Sequence, residues 1–410
     1  MASFSIPLSG LNADTTELNT IANNLSNLST TGFKAQTTTF EDLFYQNVGS
    51  SGSGDPVQSG QGVGVAANAT DFTSGTPAST GVSSNVALSG NGFFVVDNGG
   101  TQEYTRDGSF QTDQNGNLIT SNGMPVLGYA ANNGVVNTNA PLTALNIPPL
   151  GQTDSPQPTA NFSLDANLNS GAAVGTVVPA QITVYDSLGQ SHVATVDFTN
   201  TGTNTWNYNI SLPAGDATGS TNTTGTLTFN SSGQLVTPAA NVAGIGFTGL
   251  ADGASNMTVD WNLYGANNTP TLTQVASASS VSSTTQDGYA SGTSSGFSID
   301  SSGVISVQYS NGQTQAVGQL AVATVNNEQG LERLGDNNYA ATIASGQASL
   351  GVGGAGGRGT VEGGELEGSN VNISTEFSNL IVAQNAYEAN AKSVSTFDTV
   401  LQSTIDMIQN

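Results

Sequence analysis

Apolar residues recur at heptad spacing near both ends of the chain, a pattern that places them along one seam of an α-helix. In the N-terminal segment the repeat contains Phe4, Leu11, Leu18, Ile21, Leu25 and Leu28. Asp14 interrupts this repeat, and Gly32 follows its end, where glycine is a usual helix stop. The spacing therefore predicts an amphipathic helix within residues 1–30.

The C-terminal segment carries a longer repeat of the same kind. Its apolar positions are Ile373, Phe377, Leu380, Tyr387, Ala391, Val394, Leu401, Ile405 and Ile408, and Gln384 and Asp398 break it. We expect a helix roughly 60 Å long, at about 1.5 Å per residue, with Ser369 or Asn370 as its N-cap. Because a period of 3.5 predicts a left-handed supercoil, the two ends should form a coiled-coil-like inner domain.

Between these ends the period of the apolar positions changes to two, as in the segments 92–97, 181–185, 192–198 and 303–309. Turn signals separate such segments at Asn115-Gly116, Ser232-Gly233, Ser302-Gly303 and Asn311-Gly312. We therefore predict an α+β multidomain fold, with nested antiparallel β-barrel or sandwich domains between the terminal helices. The Gly- and Ser-rich stretch from Val48 to Gly64 is predicted to be an irregular connector.

Composition narrows the possible functions. The chain of 410 residues has 29 acidic and 5 basic residues, a net charge of −24, and no cysteine. The scattered cations disfavour binding to nucleic acid and to anionic membrane surfaces. The start of the chain lacks the basic and apolar regions of a secretory signal, and no run of about 18 apolar residues predicts a membrane span.

Candidate catalytic and metal-binding motifs lack the context that their chemistry needs. The segment 351–356 matches a dinucleotide-binding glycine pattern, but no strand-to-helix transition is predicted there. The segment 113–117 fits a hairpin turn better than a calcium loop, because the closing Glu of such a loop is missing. His192 is the only histidine, which excludes a two-His metal site. We expect no enzymatic activity, cofactor or metal.

Several motifs resemble the flagellar axial proteins, the rod and hook family. The segment 21–27 followed by 31–35 is similar to the family's N-terminal motif, whose residues here are Ala22, Asn23, Asn24, Asn27, Thr31, Gly32, Phe33 and Lys34. The segments 366–371, 380–384 and 386–391 resemble its C-terminal helix. The segments 91–96, 104–110, 115–118 and 123–128 resemble its central β domain.

Two terminal helices that flank a β body, together with the shifts in composition, predict a layered chain. The expected layers are an inner helical domain (1–30 plus 370–410), a connector (31–70 plus 358–369), a β domain (71–145 plus 285–357) and an outer inserted β domain (146–284). Rod proteins of the family lack the insert, and the segment 184–192 resembles the outer domain of the hook branch. A distal-rod-like axial protein and an unrelated secreted β-rich adhesin remain the alternatives.

A hook subunit of this family would be exported by the flagellar type III apparatus without a cleaved signal peptide. Outside the cell it would polymerise into a curved hollow tube, a universal joint that transmits motor torque from rod to filament. Its partners would be further copies of itself, the distal rod protein, the hook cap and the hook-filament junction proteins. The heptad residues would form the subunit packing, and the polar outer layers would slide over one another.

Overall fold

The heptad segments are helical in the structure, a computed structural model that describes residues 4–409 without the side chains of Ala266, Ile408 and Gln409. Helix α1 spans Ser5–Ser26 and helix α2 spans Ile373–Gln409. Phe4 and Leu28 therefore lie just outside α1. The two helices confirm the predicted character of both ends.

Helix α2 begins later than predicted, and its predicted caps were wrong. Asn372 is the cap, because its Oδ1 accepts hydrogen bonds from the backbone N–H groups of Ser374 and Thr375 at 3.0 and 3.2 Å. The side chain of Asn370 instead accepts from the Ala35 N–H and donates to the carbonyl of Asp71, both at 2.8 Å. Capping preference reflects only local sequence, whereas Asn370 is held by backbone groups that are distant along the chain.

The segment after α1 is β-structure. Its strands are β1 (Gln36–Asp42), β2 (Gln46–Ser50), β3 (Pro56–Ser59), β4 (Val63–Thr70), β5 (Pro77–Ser79), β6 (Val86–Ser89), β7 (Phe93–Asn98), β8 (Thr101–Thr105), β9 (Gln111–Thr112), β10 (Leu118–Ile119), β11 (Leu127–Asn132), β12 (Val135–Val136) and β13 (Thr143–Ala144). The stretch predicted to be irregular, from Val48 to Gly64, contains the β2–β3 hairpin. Both faces of this hairpin are exposed, so no apolar alternation marked it in the sequence.

The middle of the chain forms a second group of strands. They are β14 (Asn161–Asn167), β15 (Val177–Tyr185), β16 (Ser191–Gly202), β17 (Thr205–Ser211), β18 (Ala217–Thr221), β19 (Thr224–Phe229), β20 (Leu235–Thr237), β21 (Val242–Leu250), β22 (Met257–Asn262), β23 (Leu272–Thr273) and β24 (Ser280–Gln286). The chain then continues through β25 (Ser294–Ile299), β26 (Val304–Tyr309), β27 (Thr314–Leu320), β28 (Val322–Thr324), β29 (Glu332–Gly335), β30 (Asn338–Ala340), β31 (Ser349–Gly351), β32 (Thr360–Gly363) and β33 (Glu365–Glu367).

These elements divide into two units. The larger unit contains the chain up to Pro149, Gly296–Gln308 and the chain from Thr314 onward. The second unit contains Leu150–Ser295 and Tyr309–Gln313. The larger unit holds both helices and two six-stranded sheets, one ordered β29-β30-β8-β7-β28-β31 and the other β12-β11-β27-β26-β25 with β13 also on β11. Phe93, Val95 and Tyr339 are central in a buried apolar cluster of this unit.

The second unit is a sandwich of two sheets around one core. One sheet has the order β18-β21-β22-β14-β23 with β24 also on β14, and the other has the order β15-β16-β17-β19-β20. Trp206 and Trp261 are completely buried between them. The Phe162 ring stacks on Trp261 with centroids 5.9 Å apart, and Tyr208 meets Trp261 edge-on at 5.2 Å. Alternating strand residues from both sheets therefore complete a closed core.

One part of this sandwich differs from the antiparallel expectation. Strand β14 pairs in parallel with β22 and with β23, whereas its pairing with β24 is antiparallel. An alternating pattern is the same for a strand with parallel or antiparallel neighbours. The sequence therefore predicts the strand but not the direction of its partner.

Four hairpins share one turn of the form Asp/Asn-x-x-Gly-x, at 113–117, 186–190, 230–234 and 300–304. In each turn the Oδ1 atom of the first residue accepts hydrogen bonds from the N–H groups of the third and fifth residues. The glycine at the fourth position has a positive φ in all four turns. Such side-chain mimicry of a backbone turn explains why these short polar segments reverse the chain.

Candidate functional site

Helices α1 and α2 pack together through small and polar side chains. A Cβ atom on Gly10 would lie 2.6 Å from Asn390 Nδ2, so the helices approach closely there. Asn390 Nδ2 donates to Asp14 Oδ2 at 2.8 Å. Ala13 and Ala383 are buried. Asp14, which interrupts the apolar repeat in the sequence, therefore makes a direct contact between the helices.

Most of the predicted packing residues on α2 are exposed in the single chain. The exposed fractions are 50% for Ile373, 50% for Phe377, 41% for Tyr387, 39% for Leu401 and 50% for Ile405. Leu380 and Val394 are half-buried, and the side chain of Ile408 lies outside the described residues. Helix α1 thus covers only part of the apolar surface of α2.

The predicted positions near the N-terminus are better covered. Ile21 is buried, and the other members of the repeat are half-buried, namely Phe4, Leu11, Leu18, Leu25 and Leu28. The Phe4 ring lies 6.0 Å from the Phe397 ring, measured between centroids. Exposed apolar side chains that the heptad pattern missed also lie on α2, namely Ile381, Val382, Val400 and Met407. Together with the exposed predicted positions, these residues make up the uncovered apolar surface of α2, which we call the α2 apolar face. At about 100° per residue they extend well beyond a narrow seam, over more than one side of the helix.

The Asn-rich motif at the end of α1 connects the helix to the β-structure. Asn24 is completely buried, and its amide pairs with Gln36 by donating to the carbonyl at 2.7 Å and accepting from the N–H at 2.9 Å. Asn27 donates to the Asn23 carbonyl at 2.9 Å, whereas Ala22 and the Asn23 side chain face solvent. Asn24 is therefore the motif residue that holds the start of β1 against α1.

The Thr-Gly-Phe-Lys exit of the motif is constrained by close packing. Gly32 has a φ of +65°, and a Cβ atom there would lie 2.7 Å from the carbonyl of Arg106. The Thr31 carbonyl accepts a hydrogen bond from Asn337 Nδ2 at 2.7 Å. Phe33 is buried beneath the Arg333 guanidinium, whose carbon lies 5.4 Å from the ring centroid. Only glycine fits position 32, and the reason is this packing against Arg106. Gly32 is not the helix stop that the sequence suggested, because α1 ends at Ser26 with Asn27 as its C-cap.

Lys34 belongs to a buried ion cluster, defined here as Lys34, Arg106 and Glu367. Lys34 Nζ lies 2.6 Å from Glu367 Oε1, and Arg106 NH1 lies 3.2 Å from Glu367 Oε2. The Lys34 ammonium also donates to the Thr73 carbonyl at 2.7 Å, and Arg106 NH2 donates to the Gly90 carbonyl at 2.7 Å. All three side chains are at most 1% exposed. The cluster thus joins an N-terminal, a central and a C-terminal segment of the chain.

The environment of this cluster shifts the pKa of Lys34. Burial lowers the pKa of Lys34, and the nearby Arg106 charge lowers it further, whereas Glu367 acts in the opposite direction. Two cations with a single carboxylate between them depend on Glu367 for charge compensation. Sequence analysis named Lys34 but missed Arg106 and Glu367 as its partners. Both lie within segments that carry the family resemblance, so the signal was present but their contact was not deducible.

No helix in the described part of the chain is long and apolar enough to cross a membrane.

Four family models match the chain, and together they span most of its length. "Flagella basal body rod protein" matches residues 6–34, and "Flagellar hook protein FlgE/F/G D1 domain" matches residues 87–203. "Flagellar basal body protein FlaE D2 domain" matches residues 176–289, and "Flagellar basal body rod FlgEFG protein C-terminal" matches residues 362–407. The first and last of these models cover α1 and α2.

A solved structure shares the fold. The crystal structure of the flagellar hook protein FlgE2 of Helicobacter pylori aligns with a TM-score of 0.55, covering 70% of this chain and 99% of that chain. Its sequence is only 14% identical, so this likeness concerns the fold alone.

Curated relatives match almost from end to end. The flagellar hook protein FlgE of Escherichia coli K12 is 37% identical over 98% of this chain and 99% of its own length. That of Salmonella typhimurium is 36% identical over 99% of this chain and 100% of its own length, and that of Treponema pallidum is 31% identical over 98% of each. At this identity and coverage, the chain belongs to the flagellar hook protein FlgE family.

Proposed function

We propose that this chain is the structural subunit of a flagellar hook and that it polymerises with copies of itself through its terminal helices. The observation that carries the proposal is the α2 apolar face, which α1 leaves largely exposed. Many exposed large apolar side chains on one helix are typical of an interaction site. Membership of the hook protein family identifies further copies of the chain as its occupant.

The magnitude of the apolar contribution suits a polymer. Burying one Leu or Ile side chain contributes roughly 1.5–3 kcal/mol. Ile373, Leu401 and Ile405 are each 39–50% exposed, so each gains a part of this amount on assembly. Association costs about 4–15 kcal/mol. The summed free energy of burying several such side chains exceeds this cost only when neighbouring subunits cover the whole α2 apolar face. Assembly through this face therefore favours a continuous array over an isolated pair.

We further propose the remaining features of a hook subunit for this chain. They are type III export without a cleaved signal peptide, an extracellular location in the hook, and the distal rod, hook cap and hook-filament junction proteins as neighbours. The four layers expected from the sequence would surround the tube axis from the helices outward. Weak polar contacts between the outer β domains would let the tube bend while it transmits torque. The matched insert favours this hook role over the distal-rod alternative.

Electron microscopy of seeded elongation tests the proposal. Fragments of the chain's own polymer serve as seeds, which removes any requirement for a cap protein. We expect the full chain to elongate the seeds at moderate salt, and a chain that lacks residues 371–410 to stay monomeric while keeping its β circular dichroism signal.

Point variants provide the matched control. We expect Leu401→Ser with Ile405→Ser to prevent elongation, because both changes lie in the α2 apolar face. The polar pair Gln402→Ser with Thr404→Ser, on the same turns of the helix, should leave elongation intact. Equal elongation by the truncated and full chains would show that the terminal helices are not the assembly element.

A further inference from the structure

The second unit contains a single group that can carry a positive charge. Neither Lys nor Arg occurs in residues 150–295 or 309–313, and the only histidine of the chain, His192, lies there. The acidic residues of the unit are Asp154, Asp165, Asp186, Asp197, Asp216, Asp252, Asp260 and Asp287. His192 is therefore the one side chain of this acidic unit that can offset the negative charge of its aspartates.

His192 lies on the inward face of β16, on the same side of the strand as the core residues Ala194 and Val196, and only 6% of its side chain is exposed. Three carboxylates face its ring. Nδ1 lies 3.0 Å from Asp216 Oδ2, and Nε2 lies 3.2 Å from Asp186 Oδ2 and 3.8 Å from Asp252 Oδ2. We call these four residues the His192 cluster.

The distances determine the protonation state of the ring. An ionised carboxylate only accepts hydrogen bonds, so each ring nitrogen must carry a hydrogen to bond the carboxylate beside it. A neutral imidazole has one N–H and would direct the lone pair of its other nitrogen at a carboxylate oxygen. The arrangement therefore fits an imidazolium cation that donates to Asp216 and Asp186 at once.

The three carboxylates come from separate loops at one end of the sandwich. Asp186 starts the turn between β15 and β16, Asp216 immediately precedes β18, and Asp252 follows β21. The first strand pair belongs to one sheet, and β18 and β21 belong to the other. The imidazolium thus bridges the two sheets where their loops meet.

Few other polar contacts connect these loops. The Ser255 N–H donates to Ser187 Oγ at 3.0 Å, and the Ala251 N–H donates to the Asp216 carbonyl at 2.9 Å. Within its own turn, Asp186 Oδ1 accepts from the N–H groups of Leu188 and Gln190. Asp186 is therefore oriented towards His192 by its own turn. The Asp216 and Asp252 loops are joined directly to each other, and they meet the β15–β16 turn through the His192 ring and the Ser255–Ser187 contact.

We propose that His192 is a protonation-dependent clamp that holds the two sheets of the second unit together at one end and releases them as the surrounding medium becomes alkaline. Without the cation, three carboxylates converge on a neutral ring and repel one another. The loops that carry Asp216 and Asp252 then separate from the β15–β16 turn. The second unit thereby responds to the pH of the surrounding medium.

The direction of the pKa shifts agrees with this geometry. Burial opposes protonation of His192, but the hydrogen bonds and charges of Asp216 and Asp186 outweigh it and raise the pKa above its ordinary value of 6.5. A raised folded-state pKa contributes stability that is complete below about pH 6.5 and is lost as pH rises through the folded-state value.

Asp186 sets the acidic limit of the clamp. Burial tends to raise the pKa of Asp186, but hydrogen bonds from the His192 ring and from the Gln190 and Leu188 N–H groups lower it below 3.8. Its contribution to stability is therefore present above about pH 4 and is lost as pH falls through the lower folded-state value. The clamp is strongest between these two limits, from about pH 4 to about pH 6.5.

Thermal unfolding of the full-length monomer, followed by tryptophan fluorescence, tests the clamp. Trp206 and Trp261 are the only tryptophans, and both lie in the core of the second unit, so the signal reports this unit. We expect the wild-type Tm to fall by roughly 2–8 °C between pH 6 and pH 9, the scale of one to two charge-assisted hydrogen bonds. We expect His192→Gln to have a lower Tm at pH 6 and little change up to pH 9.

The matched control is Asp197→Asn, which removes one carboxylate from the outer face of β16 and should follow the wild-type pH profile. If wild type and His192→Gln lose equal stability between pH 6 and pH 9, the clamp is refuted. Asp186, His192 and Asp252 offer ligand atoms within 4.8 Å of one another. If EDTA abolished the pH dependence of the wild-type Tm, a bound divalent cation would be its cause, and the clamp would also be refuted.

Proton NMR gives a second readout that does not depend on a variant folding. Because the chain has one histidine, its imidazole C–H signals need no assignment. We expect the folded wild type to titrate above pH 6.5 and Asp216→Asn to titrate at a lower pH than wild type. Titration of the folded wild type at or below pH 6.5 would overturn the proposal.

Discussion

The sandwich of the second unit and the terminal helix pair use apolar residues in opposite ways. In the sandwich, Trp206, Leu227 and Trp261 have no exposed surface. On α2, Leu401 and Ile405 remain 39% and 50% exposed. A leucine is thus fully covered in one region and substantially exposed in the other.

The difference follows from the shape of the two regions. Two sheets that face each other bury alternate residues of every strand on both sides of one core. A long helix with a single shorter helical neighbour covers only the side that the neighbour touches. The sandwich core is therefore closed within the chain, whereas α2 keeps apolar side chains that α1 does not cover. Under the proposed function, we expect the contacts of assembly to lie on the helix pair rather than on the sandwich.

Removing the carboxylate of the buried ion cluster should have the largest effect on stability. It tests whether the segments that carry Lys34, Arg106 and Glu367 are closed within the chain, as the sandwich core is. Glu367→Ala leaves the buried Lys34 and Arg106 charges uncompensated, and we expect a loss of about 3–5 kcal/mol in the free energy of unfolding. Urea unfolding followed by circular dichroism measures it.

Glu365→Ala, two residues earlier on the same strand β33, is the control and should cost much less, because Glu365 is half exposed. If both variants lose similar free energy of unfolding, the ion cluster is not what holds β33 in place.

Matched leucine variants test the comparison directly. We expect Leu227→Ala to lower the free energy of unfolding of the second unit by about 2–5 kcal/mol, because it opens a cavity in a closed core. Leu401→Ala should change the stability of the monomer by less than about 0.5 kcal/mol. Urea unfolding followed by both tryptophan fluorescence and helical circular dichroism measures the two regions.

In assembly, Leu401→Ala should have a larger effect than Leu227→Ala, the reverse of their order in stability. We expect Leu401→Ala to raise the critical concentration for elongation roughly tenfold, and folded Leu227→Ala to elongate nearly as the wild type does. A large monomer destabilisation by Leu401→Ala without any change in elongation would contradict the division between complete and open regions.

Salt should have the smallest effect. Of the 29 acidic residues, 23 lie between positions 31 and 369, where only Lys34, Arg106, Arg333 and Arg358 oppose them. The β-structure of neighbouring subunits should therefore repel while the helices attract. Because the Debye length falls from about 30 Å at 0.01 M to about 8 Å at 0.15 M, we expect slower dissociation of polymers at the higher salt concentration. Light scattering after dilution measures it, and equal rates would exclude charge repulsion as a significant factor.

Much of the architecture was predictable from local patterns. Heptad spacing indicated α1 and α2, and alternation with Asn-Gly and Ser-Gly turns indicated strands such as β16 and β26. The β2–β3 hairpin was missed because both of its faces are exposed and carry no alternation. The cap of α2 was misplaced because Asn370 bonds to distant backbone groups, a competition that a local rule does not include.

The candidate site was only partly predictable, for a related reason. The heptad residues were identifiable, and so were the Asn-rich motif and Lys34. Whether Leu401 and Ile405 pack within the subunit or remain exposed depends on how far α1 extends along α2, which the spacing does not contain. The exposed Ile381 and Val382 were missed because they lie outside the heptad positions.

By itself the sequence determined the helical ends, the β-rich middle, the turn positions and the family, because periodicity and short motifs are properties of neighbouring residues. Only the tertiary structure decided the parallel pairing of β14 and the contact between Lys34 and Glu367 across the whole chain. It also decided the convergence of three aspartates on His192. These features depend on which remote segments meet when the chain closes its cores, and no local pattern encodes that path.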